Sequence, residues 1–481
     1  MIKSFLFDQL TPVSLYGEIK DIYKNEVTML FESVVTSEEG NYSFIAVGAR
    51  ERLIYKDDAT TFIDSLGKSR ELDVDPFTFL KDYYNKLDKS KYKELEELIG
   101  FSFIDGFIGY IAYDMVKVFE PTLKESMDNL KDTLNTPDLD LIRPKVIIGF
   151  SHKSSQLTII DLDGYNKEMV LEISKLVSKA HKPTPILPAK LDGNGEFAID
   201  KERFMQIVKE AKEHIRAGDV FQMLPSNRYT QKGFVDPLSF YRILRSKNPS
   251  PYLFLLEFDD FAICGSSPEV MVRLTKGEIL LRPIAGTRKR GKTPQRDHEL
   301  ELEMLNDPKE CAEHLMLVDL GRNDVGRVAK VGTVKVPEMM RVEKYSHVMH
   351  MVSDVVAELE DDKDMFDLFA ATFTAGTMTG APKIKAMELI AKFEGLKRGF
   401  YSGSVGYFSF TGDMDSAIAI RTSMIKEDEV VLQAGAGVVA DSVPELEELE
   451  VRNKLMALMA TLKELDSLED NEKLILLKEI D

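Results

Sequence analysis

Two pairs of glutamates set the chemistry open to this chain. Glu310 and Glu313 lie three apart in DPKECAEHLMLVDLGRND (residues 307–324), and Glu447 and Glu450 repeat that spacing in PELEELE. Helix residues three apart share a face, so each pair can aim two carboxylates at one point. Two such faces brought together offer a donor set that suits magnesium, which keeps several waters and takes few carboxylates directly. Each pair also has a plainer reading. The first sits where a helix dipole welcomes acid, and the second lies in a charge-rich, solvated stretch. No Cys/His spacing supports zinc.

Other side chains could serve the same site. Arg421 ends the apolar run AIAIRT, where a buried arginine needs a partner; a substrate carboxylate is one. His350, in SHVMHMVS, reads either as a general base or as a core histidine with its hydrogen bonds satisfied. RPIAGTRKRGK (residues 282–292) is the one dense basic stretch, a solvated loop or a source of cations for a small anion. QAGAGVVA (433–440) mimics a dinucleotide fingerprint, but no later strand completes a βαβ unit, so that reading is rejected. Its glycine-rich turn and GTMTG (376–380) still offer backbone N–H groups to a carboxylate.

These residues need elements to hold them. Asp307 and Pro308 open a helix that Gly321 and Asn323 are expected to close, and its lack of a clean polar face argues burial. Ser442, with Glu445 three on, has the spacing of a capping box for the last long helix. Before residue 180 we expect strands over 27–35 and 42–47, a helix over 84–99 and a strand pair in FSFIDGFIGYIAY (101–113). A hairpin over 145–150 and 156–160 and a helix over 167–179 follow. The proline-rich segment 181–195 then divides the chain into an N-terminal domain (1–193), a catalytic domain (194–465) and a helical tail (466–481). In the second domain helices over 200–217, 365–373 and 382–393 alternate with short strands.

The totals narrow the class. At 481 residues with 44% hydrophobic and 30% charged, the chain is an ordinary globular protein. A net charge of −19 argues against nucleic acid as a partner. With two cysteines, no signal-like N-terminus and no apolar run long enough to span a bilayer, a reducing, cytoplasmic setting without membrane contact is expected. Tryptophan is absent.

Taken in order, GDVFQMLPSNR, NPSPYLFLLE, GSSPE, RPIAGTRKRG, DPKECAEHLMLVDLGRND, YSHVMHMVS, AGTMTGAPK, GSVGYFSF, AIAIRT and AGAGVVADSVPELEELE resemble the large, chorismate-binding subunit of anthranilate synthase. The resemblance implies an α/β chain of α+β type, with two packed, largely antiparallel sheets flanked by helices. It implies magnesium on Glu313 and Glu450, with Glu310 and Glu447 holding the metal's waters. Thr287, Gly437 and Lys454 would line the pocket for the ring carboxylate of chorismate, and Tyr401 and Arg421 would clamp the enolpyruvyl carboxylate. Glu269 would be the general acid for the departing hydroxyl and His350 the base for the later elimination, with Thr377 beside it.

Related chorismate enzymes differ at two positions. Isochorismate and salicylate synthases carry a lysine where this chain has Gln222, which favours ammonia over water as nucleophile. Aminodeoxychorismate synthases carry PIKGT where this chain has PIAGT, so Ala285 removes that nucleophile. The family draws ammonia from glutamine on a separate amidotransferase subunit, here expected in a heterotetramer. It is feedback-inhibited by tryptophan at a site to which Ser33, Asn248, Pro251, Tyr252 and Leu253 correspond; Phe31 and Leu253 depart from the usual residues. The alternatives are the other chorismate enzymes of this scaffold, or a catalytically silent tryptophan-binding subunit.

Overall fold

The computed structural model describes residues 1–8, 10–33, 42–179, 184–345 and 348–468. Twenty strands form one continuous hydrogen-bonded network, and every pairing in it is antiparallel. Two long strands, Tyr42–Lys56 and Leu139–Ser151, run side by side and belong to two layers at once. Their first-layer halves continue through Thr28–Glu32 to Tyr252–Glu257, Phe261–Ser267, Thr422–Lys426, Glu429–Gly435 and Ser226–Phe234. Their second-layer halves continue through Gly106–Ile111 to Ser404–Ser409, Met414–Ile418, Val270–Thr275 and Glu278–Leu281. The register shifts between Ala49 and Glu51, where the first strand passes from one layer to the other.

Strand period explains how the layers pack. Met29 and Phe254 point into the core between the two sheets, while their neighbours Leu30 and Leu255 point the other way, into a second core. Helices cover that outer face, among them Lys201–Ala217, Pro237–Lys247 and Pro444–Asp466, through Phe204, Phe240 and Leu455. Two packed antiparallel sheets with flanking helices are therefore present, as the family resemblance implied.

Several boundaries differ. FSFIDGFIGYIAY yields one strand, Gly106–Ile111, because it is wedged between two others. A Cβ on Gly106 or Gly109 would lie 2.1 Å from the carbonyl oxygen of Phe408 or Asp140. The expected helix over 84–99 is two, Pro76–Tyr84 and Lys89–Ile99, the second capped by Asp88. The central helix does not stop at Gly321 but runs over Pro308–Gly326. A Cβ at Gly321 would sit 2.9 Å from the Leu281 side chain, so this glycine serves close packing. Ser442 does not cap the last helix: it accepts from the Val439 amide at 3.0 Å, and Pro444 opens the helix without a side-chain cap. Most of the expected tail, 469–481, lies outside the described residues. Segments on either side of residue 193 share sheets, since Thr28–Glu32 pairs with Tyr252–Glu257 and Gly106–Ile111 with Ser404–Ser409. Among the described residues, no helix is long and apolar enough to cross a membrane.

Candidate active site

Asp307 accepts from the amides of Lys309 and Glu310 and so fixes the first turn of the central helix, placing Glu310 and Glu313 on one face. Glu313 accepts from Gln222 Nε2 at 2.9 Å. Burial pushes its carboxyl above the ordinary range, and the nearby charges of Glu310 and Glu450 add to the shift. Glu447, in the first turn of the last helix, is raised by burial and by Glu450. Lys309 faces both Glu313 and Glu447, so the two helix starts look onto one region.

The four carboxylates are nonetheless held by protein partners. Glu310 pairs with Arg288 at 2.8 Å, Glu450 with Lys454 at 2.8 Å, and Lys454 also donates to the Gly435 carbonyl at 2.9 Å. Among the described residues no three acidic, histidine or cysteine side chains close on a common point as a ligand set. The basic stretch that could have supplied substrate cations is engaged internally as well. Arg282 pairs with Asp354 at 2.6 Å and Arg290 with Asp297 at 2.7 Å.

Glu269 lies at the foot of the second layer, 7% exposed, and accepts from Thr377 Oγ1 at 2.8 Å. Burial raises its carboxyl to about 7, partly offset by Thr377, Arg421 and Lys454. Arg421 has a left-handed backbone, φ 50°. Its guanidinium makes no hydrogen bond or ion pair among the described residues. Burial lowers its pKa, with the charges of Glu269 and Tyr345 opposing. A fork with no protein partner is what a carboxylate clamp requires.

His350 stands opposite Thr287 across the strand pair Ile284–Lys289 and Val348–Val352. Its Nδ1 is 3.1 Å from both the Thr287 hydroxyl and the Gly286 carbonyl. Burial lowers its pKa, and Arg421 lowers it further, so the imidazole is neutral at physiological pH. A carbonyl can only accept, so Nδ1 carries the proton toward Gly286 and Nε2 keeps its lone pair. That is the tautomer a base needs.

Tyr401 is buried with its phenol pKa raised, beneath the Arg398 guanidinium at 5.6 Å from the ring centre. Arg398 is a residue the sequence did not flag. At 1% exposure it bonds Glu394, the Met378 and Leu224 carbonyls and Ser402, tying the Thr377 turn to the strand that follows Gln222. Arg398→Met would leave Glu394 buried and uncompensated. We expect it to cost about 3–5 kcal/mol of stability, read by denaturant unfolding. His314, which follows Glu313 in the first turns of the central helix, is fully buried, and its Nε2 is 2.7 Å from Ser353 Oγ. Its only signal in the sequence is a polar residue inside an apolar turn.

The regulatory candidates face a cavity whose lining does not include Glu269, His350 or Arg421. Ser33, Pro251, Tyr252 and Leu253 line a cavity of about 1150 Å³ that also meets Tyr407 and Arg273. Asn248 is not among the lining residues; its side-chain amide donates to Ser266 Oγ at 3.1 Å. Beside Glu269 and Thr377 the free space is only about 20 Å³.

A family profile described as chorismate binding enzyme matches residues 29–460. Anthranilate synthase component 1 of Aquifex aeolicus is 42% identical over 472 residues, covering 95% of this chain and 93% of its own length. That of Acinetobacter calcoaceticus is 42% identical over 468 residues, with coverage of 94% and 93%. Among solved structures, anthranilate synthase component I from Streptococcus pneumoniae TIGR4 superposes with a TM-score of 0.75 at 31% identity, covering 94% of this chain and 98% of that one. The menaquinone-specific isochorismate synthase of Escherichia coli, with a TM-score of 0.71 at 18% identity over 96% and 94%, shares the fold alone. With identity of this depth over nearly its whole length, the chain belongs to the chorismate-binding enzymes, within the anthranilate synthase component 1 family.

Proposed function

We propose that this chain converts chorismate and ammonia to anthranilate, pyruvate and water, using magnesium, with glutamine-derived ammonia supplied by a partner amidotransferase and tryptophan as feedback inhibitor. The observation that carries the chemistry is the pairing of a protonatable Glu269 with an unpaired Arg421, both in electrostatic reach of each other, and a neutral His350 beside Arg421. Arg421 and Tyr401 hold the enolpyruvyl carboxylate. Thr287, Gly437 and Lys454 receive the ring carboxylate. Glu269 gives its proton to the departing ring hydroxyl as the C–N bond forms, and Thr377 fixes the carboxyl that does so. His350 Nε2 then takes the ring proton as pyruvate leaves, Nδ1 being anchored on Gly286.

The acidic residues fit magnesium. Their donors are hard carboxylate oxygens, and the raised pKa values of Glu313 and Glu447, each increased by neighbouring acid, are a burden that a cation relieves. Glu313 and Glu450 would bind it directly and Glu310 and Glu447 through water, once Arg288 and Lys454 release Glu310 and Glu450. Bound there, the ion supplies neutralising charge for the ring carboxylate.

A separate source of ammonia follows from the cysteines. Cys264 is buried with its thiol pushed well up, and Cys311 donates to the Leu305 carbonyl, so neither serves as a glutaminase nucleophile. Both are free thiols, in keeping with a cytoplasmic enzyme. We read 1–193 and 194–465 as regulatory and catalytic divisions of one folded unit.

The test is the purified chain with chorismate, magnesium and ammonium near neutral pH. Fluorescent anthranilate with equimolar pyruvate is expected. A product that keeps its enolpyruvyl group would favour aminodeoxychorismate synthesis, and no turnover would favour a silent subunit. Because the chain has no tryptophan, added tryptophan is directly visible by fluorescence. Its emission should shift on binding, and Ser33→Val should raise the half-inhibitory concentration at least tenfold with kcat unchanged. An unshifted spectrum would remove the regulatory site from that cavity.

A further inference from the structure

The strands that carry His350 have two unlike faces. In Val348–Val352, Met349 and Met351 point one way and are buried against Met304. The opposite face carries His350 itself. Thr287 stands across from it on one side, and Glu343, in the strand Arg341–Lys344, stands across from it on the other. Tyr345 comes two residues after Glu343, so it leans over the same face and meets the imidazole diagonally. The two ring centres are 5.7 Å apart with their planes at 63°, an edge-to-face contact.

Tyr345 is held firmly although the chemistry above gives it no step. Among the described residues its hydroxyl makes one hydrogen bond, donated to Glu343 Oε2 at 2.8 Å. Burial and Glu343 push the phenol well up, so it stays protonated and remains a donor. The other oxygen of Glu343 accepts from Arg341 at 2.7 Å, and Arg341 is braced by Asp354 at 2.8 Å. The backbone is pinned as well: the Tyr345 amide donates to the Val348 carbonyl at 2.8 Å, and its carbonyl accepts from Arg290 at 2.6 Å.

The contact matters because of what lies beside it. Tyr345 and Glu343 line the 1150 Å³ cavity, and His350 does not. Removing the Tyr345 ring would open that space toward the imidazole. Nδ1 of His350 is tethered to Gly286 and Thr287, which fixes one edge of the ring. Rotation about the bond to an aromatic ring is soft, so a tether at one edge leaves the far nitrogen free to swing. A second ring set against the imidazole removes that freedom.

We propose that Tyr345 is a positioning residue for the base: its ring, anchored by Glu343, holds the His350 imidazole at the angle from which Nε2 meets the ring proton. This rests on the function proposed above and deepens it. Its effect falls on the elimination of pyruvate, which needs His350, and spares C–N bond formation, which needs Glu269.

The two steps supply the test. Pyruvate and anthranilate report elimination, and the aminated ring that still carries its enolpyruvyl group reports amination without elimination. Quenched reaction mixtures, separated by chromatography, count bound and released intermediate together. Tyr345→Leu removes the ring, and Tyr345→Phe keeps it without its anchor; circular dichroism checks folding. Tyr345→Leu should slow anthranilate formation at least tenfold, leave KM for chorismate within twofold and raise the enolpyruvyl-bearing amine at least tenfold over the unmodified chain. Tyr345→Phe should shift the same way by a smaller factor. A residue that merely supports the fold slows both steps together, so slower turnover with no extra intermediate overturns the proposal, as does unchanged turnover. Should Tyr345→Leu fail to fold, Tyr345→Phe decides alone, and the absence of the shift there is equally fatal. His350→Gln separates the two levels of the argument. No intermediate in that variant removes the base assignment, and the positioning role with it. Intermediate in His350→Gln but not in the Tyr345 variants overturns the positioning role alone. An unmodified chain that makes no anthranilate refutes the function itself.

Discussion

Glu450→Gln is expected to abolish magnesium-dependent turnover, lowering kcat/KM by roughly a thousandfold, or about 4 kcal/mol of transition-state stabilisation, while the fold stays intact. The stability half of this expectation rests on what Glu450 touches. Among the described residues its ion-pair partner is Lys454, four residues on and equally half-exposed. Such a surface pair is worth about 0–1 kcal/mol, so its loss is barely felt in unfolding. Glu450 is therefore a cleaner test than Glu313, whose replacement also frees Gln222. The catalytic half follows from the shared region. On the proposed mechanism, removing one of four acids lowers the affinity for the divalent ion that would neutralise the ring carboxylate. Calorimetric titration with magnesium in the presence of chorismate reads the loss without reference to turnover. A Glu450→Gln enzyme that keeps full activity and normal magnesium binding would dismiss the assignment.

Glu269→Gln should cost 10²–10⁴-fold in kcat, the usual worth of a positioned general acid, and should alter the pH profile in a stated direction. In the proposed role the group acts in its protonated form, and burial raises its carboxyl to about 7. At constant free ammonia, wild-type kcat/KM should fall as pH rises through 7. The residual activity of Glu269→Gln should lack that limb. His350 sets the other side, since its lowered pKa keeps the base neutral down to mildly acid pH.

The same carboxyl predicts a stability change of opposite sense. Folding raises it from 4.5 to about 7, so on raising the pH the unfolded chain gives up the proton first. Stability from this group is complete below the unfolded value and lost as pH passes the folded one, a difference of about 3 kcal/mol. Glu269→Gln removes that alkaline loss. The variant should thus be the more stable protein above pH 7 and the far poorer enzyme. A wild type and variant whose stabilities run parallel with pH would contradict the burial argument.

Local patterns were legible in the sequence where local physics decides them. The Asp307–Pro308 start of the central helix, the Asp200 cap and the i, i+3 glutamate spacing all need only a few neighbouring residues. The end of the central helix was not legible, because Gly321 answers to Leu281 across the packing and not to its own chain neighbours. The same holds at the site. Glu310 finds Arg288 and Glu313 finds Gln222, partners 22 and 91 residues away, which no periodicity announces. Arg398, in KRGF, has the appearance of a surface cation, yet it is 1% exposed and its side-chain hydrogen bonds go to groups 4 to 174 residues distant. Sheet order was hidden for the same reason, since pairings such as Thr28–Glu32 with Tyr252–Glu257 and Gly106–Ile111 with Ser404–Ser409 join strands far apart along the chain.

That ordering reaches into how the protein is made. Strand Gly106–Ile111 finds one of its two edges only in Ser404–Ser409. On a ribosome adding roughly 5–20 residues per second, the gap between the two segments amounts to something like 15–60 s. Through that interval a growing chain presents an uncapped apolar edge, the kind on which strands of neighbouring nascent chains pair. Keeping that edge away from other chains until residues 404–409 emerge is then a demand this topology places on synthesis.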